Sequence, residues 1–187
     1  MLLMAIYERW NEVKVSDAAK RIGVSTKSAS RCFDELEYLN IDVLGMKGKS
    51  RVINIPNDRK QVWQQIENVL RNPVIRRFVL REDMKLEKKA GISALCEYSI
   101  LSDNAYPTYA VTKKELKDSA VKVEKQVSEL EEIGCVVLEL GYLIDVLGKG
   151  FQDPLSVVLS LTGEEQEEER VDISINEMLE EYVWSKD

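Results

Sequence analysis

The sequence predicts an α+β chain, mainly helical, built in two parts. Three observations lead there. Apolar residues recur at helical spacing through most of the 187 positions, and two short apolar runs near residue 50 flank a glycine-containing turn. The charge is also divided along the chain: residues 1–55 sum to +2, 56–89 to +4 and 90–187 to −13, so the net −7 describes neither part. The expected division is an N-terminal domain over 1–56, a helical linker over 57–89 and a smaller, acidic α+β domain over 90–187.

Leu2, Leu3, Ile6 and Trp10 fall at helical spacing and make a first amphipathic helix. Ser16 stands before Asp17-Ala18-Ala19-Lys20-Arg21-Ile22 and reads as the cap of a short second helix, with Asp17 in its first turn. Gly23 ends that helix, and Ser25 caps a third from Thr26 towards Leu39. Ala19 is small enough to let the two helices cross closely. Ile22, Val24, Ala29 and Cys32 are expected to fill the space between them. This is helix-turn-helix spacing.

On the third helix Ala29, Cys32, Phe33, Leu36 and Leu39 make one face, and Lys27, Ser30, Arg31 and Asp34 the other. An apolar stripe opposite a short, polar and basic one is what a major groove requires of a helix. Ser25, Thr26, Lys27, Ser28, Ser30 and Arg31 are therefore expected to contact DNA. Asp34, Glu35 and Glu37 make the later half acidic, which confines the reading to the first turns. Next, Ile41–Leu44 reads as a strand, Gly45–Ser50 as a turn and Arg51–Ile55 as the partner strand. The tip carries Lys47 and Lys49 with Arg51 beside it, three cations suited to phosphate. Together these elements form a winged helix-turn-helix over 1–56.

Asp58–Leu70 reads as a helix ended by Asn72-Pro73. Arg76-Arg77 follows, read as a surface pair on a connecting segment in preference to a second DNA contact. Further on, Ala90–Tyr98 reads as a helix, Leu101–Val111 as a loop entering a strand, and Thr112 as the cap of Lys113–Lys117. Residues 118–133 fit either a helix or an irregular acidic segment. Val136–Leu140 is a buried strand, Asp153-Pro154 opens a helix through Leu161, Glu164–Glu169 is a solvated acidic loop and Arg170–Trp184 a final helix.

Histidine is absent, which removes Ser-His-Asp and Cys-His catalysis and the commonest zinc and iron ligand sets. No phosphate-binding glycine motif occurs. The expectation is no enzyme, with no catalytic residue, metal or cofactor. Cys32, Cys96 and Cys135 are odd in number and widely spaced, and read as free thiols. No run reaches the ~18 apolar residues of a membrane span, and Glu8 and Arg9 spoil Met1–Trp10 as a signal peptide. A cytoplasmic location without a membrane partner is expected.

The order of first helix, Ser16–Ile22, Ser25–Leu39 and wing resembles MarR-like bacterial winged-helix repressors. By that resemblance the third helix reads the major groove of double-stranded DNA and the wing touches phosphate. The segments Gly91–Ser102, Tyr106–Val111, Asp153–Leu161 and Arg170–Trp184 resemble bacterial winged-helix proteins related to AbiEi-type antitoxins. That resemblance implies a transcription regulator that represses its own operon, with a nucleotidyltransferase toxin as partner. Members of that group carry an extra domain ahead of the first helix; this chain starts at that helix, as a short member or a fragment would. The oligomeric state stays open, a dimer included. The alternative from the residues alone is a protein-interaction module whose acidic C-terminal half docks a basic partner.

Overall fold

Helix α1 (Leu2–Tyr7) buries Leu2, Leu3, Ala5 and Ile6, and the chain then turns so that Trp10 is also buried, outside the helix. Strand β1 (Val13–Lys14) leads directly into α2 (Val15–Ile22). Lys14, not Ser16, occupies the cap position, and no side chain caps this helix; Ser16 lies within its first turn. Gly23 adopts a left-handed φ of 69°, and the Val24 N–H reaches back to the Ala19 carbonyl at 3.0 Å. This closes the last turn with the glycine that the geometry demands. Helix α3 (Thr26–Tyr38) starts at Ser25, whose hydroxyl accepts the Ser28 N–H at 3.1 Å. It ends in the same way as α2: Asn40 takes φ 58° and the Ile41 N–H bonds the Leu36 carbonyl at 3.1 Å.

Strands β2 (Leu44–Lys47) and β3 (Ser50–Ile53) form a hairpin with only Gly48-Lys49 between them, and Gly48 supplies the positive φ of the tight loop. The strand expected over Ile41–Leu44 thus begins at Leu44, and most of the expected turn is strand. β1 pairs with the other edge of β3, giving an antiparallel sheet of order β1-β3-β2. Ile6, Phe33, Ile53 and Ile66 are fully buried, so α1, α3, the sheet and α4 (Arg59–Ile66) share one core. Ala18, Ala19 and Ala29 supply the small buried positions of α2 and α3. Val24, expected among them, is 43% exposed because the turn directs it outward.

The structure, a computed structural model, describes residues 1–118 and 132–185 and divides the chain into two units, Met1–Leu70 and Arg71–Asp187. The helical linker expected over 57–89 is accordingly replaced. α4 belongs to the first unit, where Val62, Trp63 and Ile66 bury its apolar face, and Val74–Leu80 is a strand, β4, of the second.

In the second unit β4, β5 (Thr108–Thr112) and β6 (Cys135–Leu140) make a sheet of order β4-β6-β5, with β6 antiparallel to β4 and parallel to β5. Central β6 is buried along its whole length because both faces are covered. Cys135 and Val137 pack with Leu80, Tyr109 and Val111 on one side; Val136, Leu138 and Leu140 pack with Ala90 and Ala110 on the other. Helix α5 (Gly91–Tyr98) precedes β5, and α6 (Lys113–Asp118) follows it, opened by Thr112, which accepts the Glu115 N–H at 3.2 Å. Residues 119–131, most of the segment that fits either a helix or an irregular acidic stretch, lie outside the described residues.

Helix α7 (Pro154–Ser160) is capped by Asp153. The acidic run expected as a loop begins with a helix, α8 (Gly163–Glu167), held by a reciprocal Thr162–Glu165 capping box. Helix α9 (Glu169–Leu179) buries Val171, Ile175 and Met178 and passes into a π-helical turn, Glu180–Trp184. Both units therefore mix helices with a small sheet, an α+β architecture. Among the described residues no helix is long and apolar enough to cross a membrane.

Candidate nucleic-acid interface

Because α3 turns every ~3.6 residues, burial of Ala29, Phe33 and Leu36 directs Lys27, Arg31 and Asp34 to the opposite side. Thr26, Lys27, Ser28 and Arg31 are exposed on its first turns. Ser25 and Ser28 use part of their hydrogen-bonding capacity to start the helix, their hydroxyls lying 2.9 Å apart. Thr26, Lys27 and Arg31 are the side chains of this stretch that project outward without an ion pair among the described residues.

Arg51 on β3 behaves differently. Its Nη1 lies 2.6 Å from Asp34 Oδ1 and 3.3 Å from Glu37 Oε2, while Nη2 donates to Ser30 Oγ at 3.2 Å. The guanidinium carbon stands 5.8 Å from the Phe33 ring centroid. A planar fork of five N–H donors suits this cluster, which a lysine could not match. The hydrogen bond to Asp34 is the main reason that the Arg51 pKa is pushed above its ordinary value, with Glu37 adding to it. Hence Arg51, expected as a phosphate contact, is committed to the acids of α3, and Ser30 is held with it.

Lys47 pairs with Glu12, the residue just before β1, while Lys49 stays exposed at the hairpin tip. The nine expected contacts thus separate. Ser30, Lys47 and Arg51 are engaged within the unit, Ser25 and Ser28 serve the helix start, and Thr26, Lys27, Arg31 and Lys49 face solvent. Sequence reasoning passed over Lys14 and Lys20, exposed cations of the same unit. Their signal was available, since Lys20 follows the buried Ala18-Ala19 pair. The partner choices of Arg51 and Lys47 carried no local signal.

On the side of α3 towards its end, Glu37, Asn40, Asp42, Leu44, Met46 and Arg51 line a cavity of about 450 Å³. Its two carboxylates disfavour a phosphate there. Elsewhere, Arg76 is bound to Glu139, and Arg77 lies 3.7 Å from Glu165, so both arginines have acidic neighbours within their own unit. Comparison with family models, curated proteins and solved structures returns no match for this chain.

Proposed function

We propose that Met1–Leu70 is a winged helix-turn-helix that binds duplex DNA, and that the protein is a transcription regulator. The observation that carries this is the Arg51 cluster. It offsets Asp34 and Glu37, the acids that would oppose a phosphate backbone, and leaves Lys27 and Arg31 as uncompensated cations on the first turns of α3. In this reading the N-terminal half of α3 enters the major groove, about 12 Å wide, with Thr26, Lys27 and Arg31 towards the bases and Lys49 of the hairpin on phosphate. The acidic second unit, with fifteen Lys and Arg against twenty-four Asp and Glu, repels DNA and favours approach through the first. Repression of its own operon and partnership with a nucleotidyltransferase toxin extend the proposal on the sequence resemblance alone.

The test is fluorescence anisotropy with duplex DNA taken from upstream of the gene. The native chain should bind with an affinity that falls as salt rises. Arg31→Glu should abolish that binding while circular dichroism stays unchanged. No affinity at low salt would overturn the reading in favour of a protein-interaction module. For that module the supporting observation is α8, a capped helix that holds Glu164 and Glu167 exposed at fixed positions.

A further inference from the structure

The second unit holds a group of aromatic rings that the DNA reading does not use. Tyr98 closes α5, Phe151 lies in the loop before α7, and Tyr182 belongs to the π-helical turn. The Tyr98 ring is 4.9 Å from each of the other two, with interplanar angles of 75° and 62°. Edge-on packing of this kind sets ring faces at large angles to one another, which is how a cage for a cation is built. A cation already occupies it. Lys149 Nζ stands 4.0 Å from the Tyr182 centroid, 5.3 Å from Tyr98 and 6.0 Å from Phe151.

We propose that Tyr98, Phe151 and Tyr182 form a binding site for a small quaternary-ammonium molecule, with Lys149 as the built-in cation that the ligand displaces. Three features support displacement. First, Lys149 is exposed and has no ion pair among the described residues, so ring faces alone hold its ammonium. Rings offer no hydrogen-bond acceptor at their faces. A primary ammonium gives up strong hydration to sit there, whereas a methylated one gives up less.

Second, the lysine is carried on Gly148-Lys149-Gly150, with φ of 60° and 69° at the two glycines and no atom within 4 Å of where either Cβ would stand. The two glycines carrying the lysine are therefore open on their Cβ sides, and no side chain there obstructs a change in the course of Lys149. The ring wall, by contrast, is anchored. Gln152 is 1% exposed; its amide oxygen accepts the Gly91 N–H at 3.0 Å, and its carbonyl accepts the Tyr98 hydroxyl at 3.0 Å.

Third, Tyr98 also lines a cavity of about 630 Å³ with Ile100, Glu177, Glu180 and Glu181. The glutamates give it the negative potential a cation follows, and Ile100, 94% exposed, offers an apolar surface for the rest of the molecule. The reading is independent of DNA binding.

The test titrates choline into the full chain by calorimetry, with its uncharged tert-butyl isostere as control. Choline should bind saturably and at least about tenfold more tightly than the isostere, the charge making the difference. Lys149→Ala should tighten choline roughly three- to thirtyfold by removing the competing cation. Tyr182→Leu should abolish binding, and Tyr182→Phe, which keeps the ring, should retain it. Absence of saturable choline binding to the Lys149→Ala protein overturns the proposal. So does equal binding of the isostere, or loss of binding in Tyr182→Phe with an unchanged circular dichroism spectrum.

Discussion

Asp34 Oδ1 accepts a 2.6 Å hydrogen bond from Arg51 Nη1, tying the second half of α3 to β3 across seventeen positions of sequence. Asp34 is 60% exposed and Arg51 30%, so water screens much of their attraction, and exposed pairs contribute about 0.2–1 kcal/mol. Removing the acid nevertheless changes two properties in opposite directions. Asp34→Ala should lower stability by no more than about 1 kcal/mol in urea melts. In the same protein, affinity for duplex DNA at low salt should rise severalfold, because one negative charge leaves the face and Arg51 is partly released. A fall in affinity would mean that Asp34 orders the face rather than opposing DNA.

A second ion pair is far less tolerant. Glu139 on β6 is 2% exposed and is bound by Arg76 of the neighbouring strand, whose guanidinium also stands 5.3 Å from the Phe78 ring. Arg76→Ala leaves a carboxylate buried without its cation, a change that costs about 3–5 kcal/mol in fully buried pairs. With Arg76 55% exposed, water can replace part of it, and a loss of roughly 2–3 kcal/mol is expected. The double change Arg76→Ala/Glu139→Gln should recover most of that loss, since the buried charge goes too. Chemical denaturation of the four proteins of the cycle measures it directly. A double change no more stable than Arg76→Ala alone would assign the loss to packing.

Cysteine chemistry gives an independent check on the second unit. The Cys96 thiol is pushed up to about 11, chiefly by burial, with the nearby Asp103 carboxylate adding to it. An ordinary thiol near ~8.5 is roughly one-quarter thiolate at pH 8, whereas this one is about a thousandth. Alkylation of Cys96 at pH 8 should therefore accelerate by about two orders of magnitude on unfolding, from thiolate fraction alone. Iodoacetamide labelling followed by peptide mass spectrometry reads the rate in native and denatured protein. Equal rates would show that α5 does not shield its sulfur.

The first unit was legible in sequence where local chemistry decides the structure. Gly23 and Ser25 mark the turn between α2 and α3 because a left-handed residue and a capping hydroxyl are needed there, and few other residues serve. Central β6 was legible too, since a strand covered on both faces reads as an unbroken apolar run. Ser16 misled, because a serine beside an acidic residue looks like a cap wherever the helix begins. Here the helix begins earlier, straight out of β1, and a two-residue strand is too short to show any period.

Longer-range features were hidden for a different reason. β4 presents Arg76 and Arg77 in its middle and reads as a basic connection. It is a strand because β6, about sixty positions away, supplies its hydrogen bonds and a buried glutamate for Arg76. The site divides on the same principle. Helical spacing alone places Lys27 and Arg31 outside, but only the fold reveals that Arg51 faces Asp34 and that Lys47 faces Glu12.

That division ranks the cations of the proposed DNA face. A lysine or arginine that neutralises one phosphate contributes about −0.9 to the slope of log affinity against log salt. Arg31 and Lys49 are exposed without an ion pair among the described residues, so Arg31→Ala and Lys49→Ala should each make the slope shallower by about 1. Lys49→Ala should do so for every sequence alike, as a phosphate contact would, while Arg31→Ala should also narrow the preference between specific and random duplexes. Arg51 already shares its charge with Asp34 and Glu37, and Arg51→Ala should leave the slope nearly unchanged. It should still weaken binding, because it returns two uncompensated carboxylates to the face. Anisotropy titrations across salt concentrations separate these outcomes. A slope that falls by a full unit in Arg51→Ala would mean that the guanidinium leaves its acids for phosphate, and the ranking would be reversed.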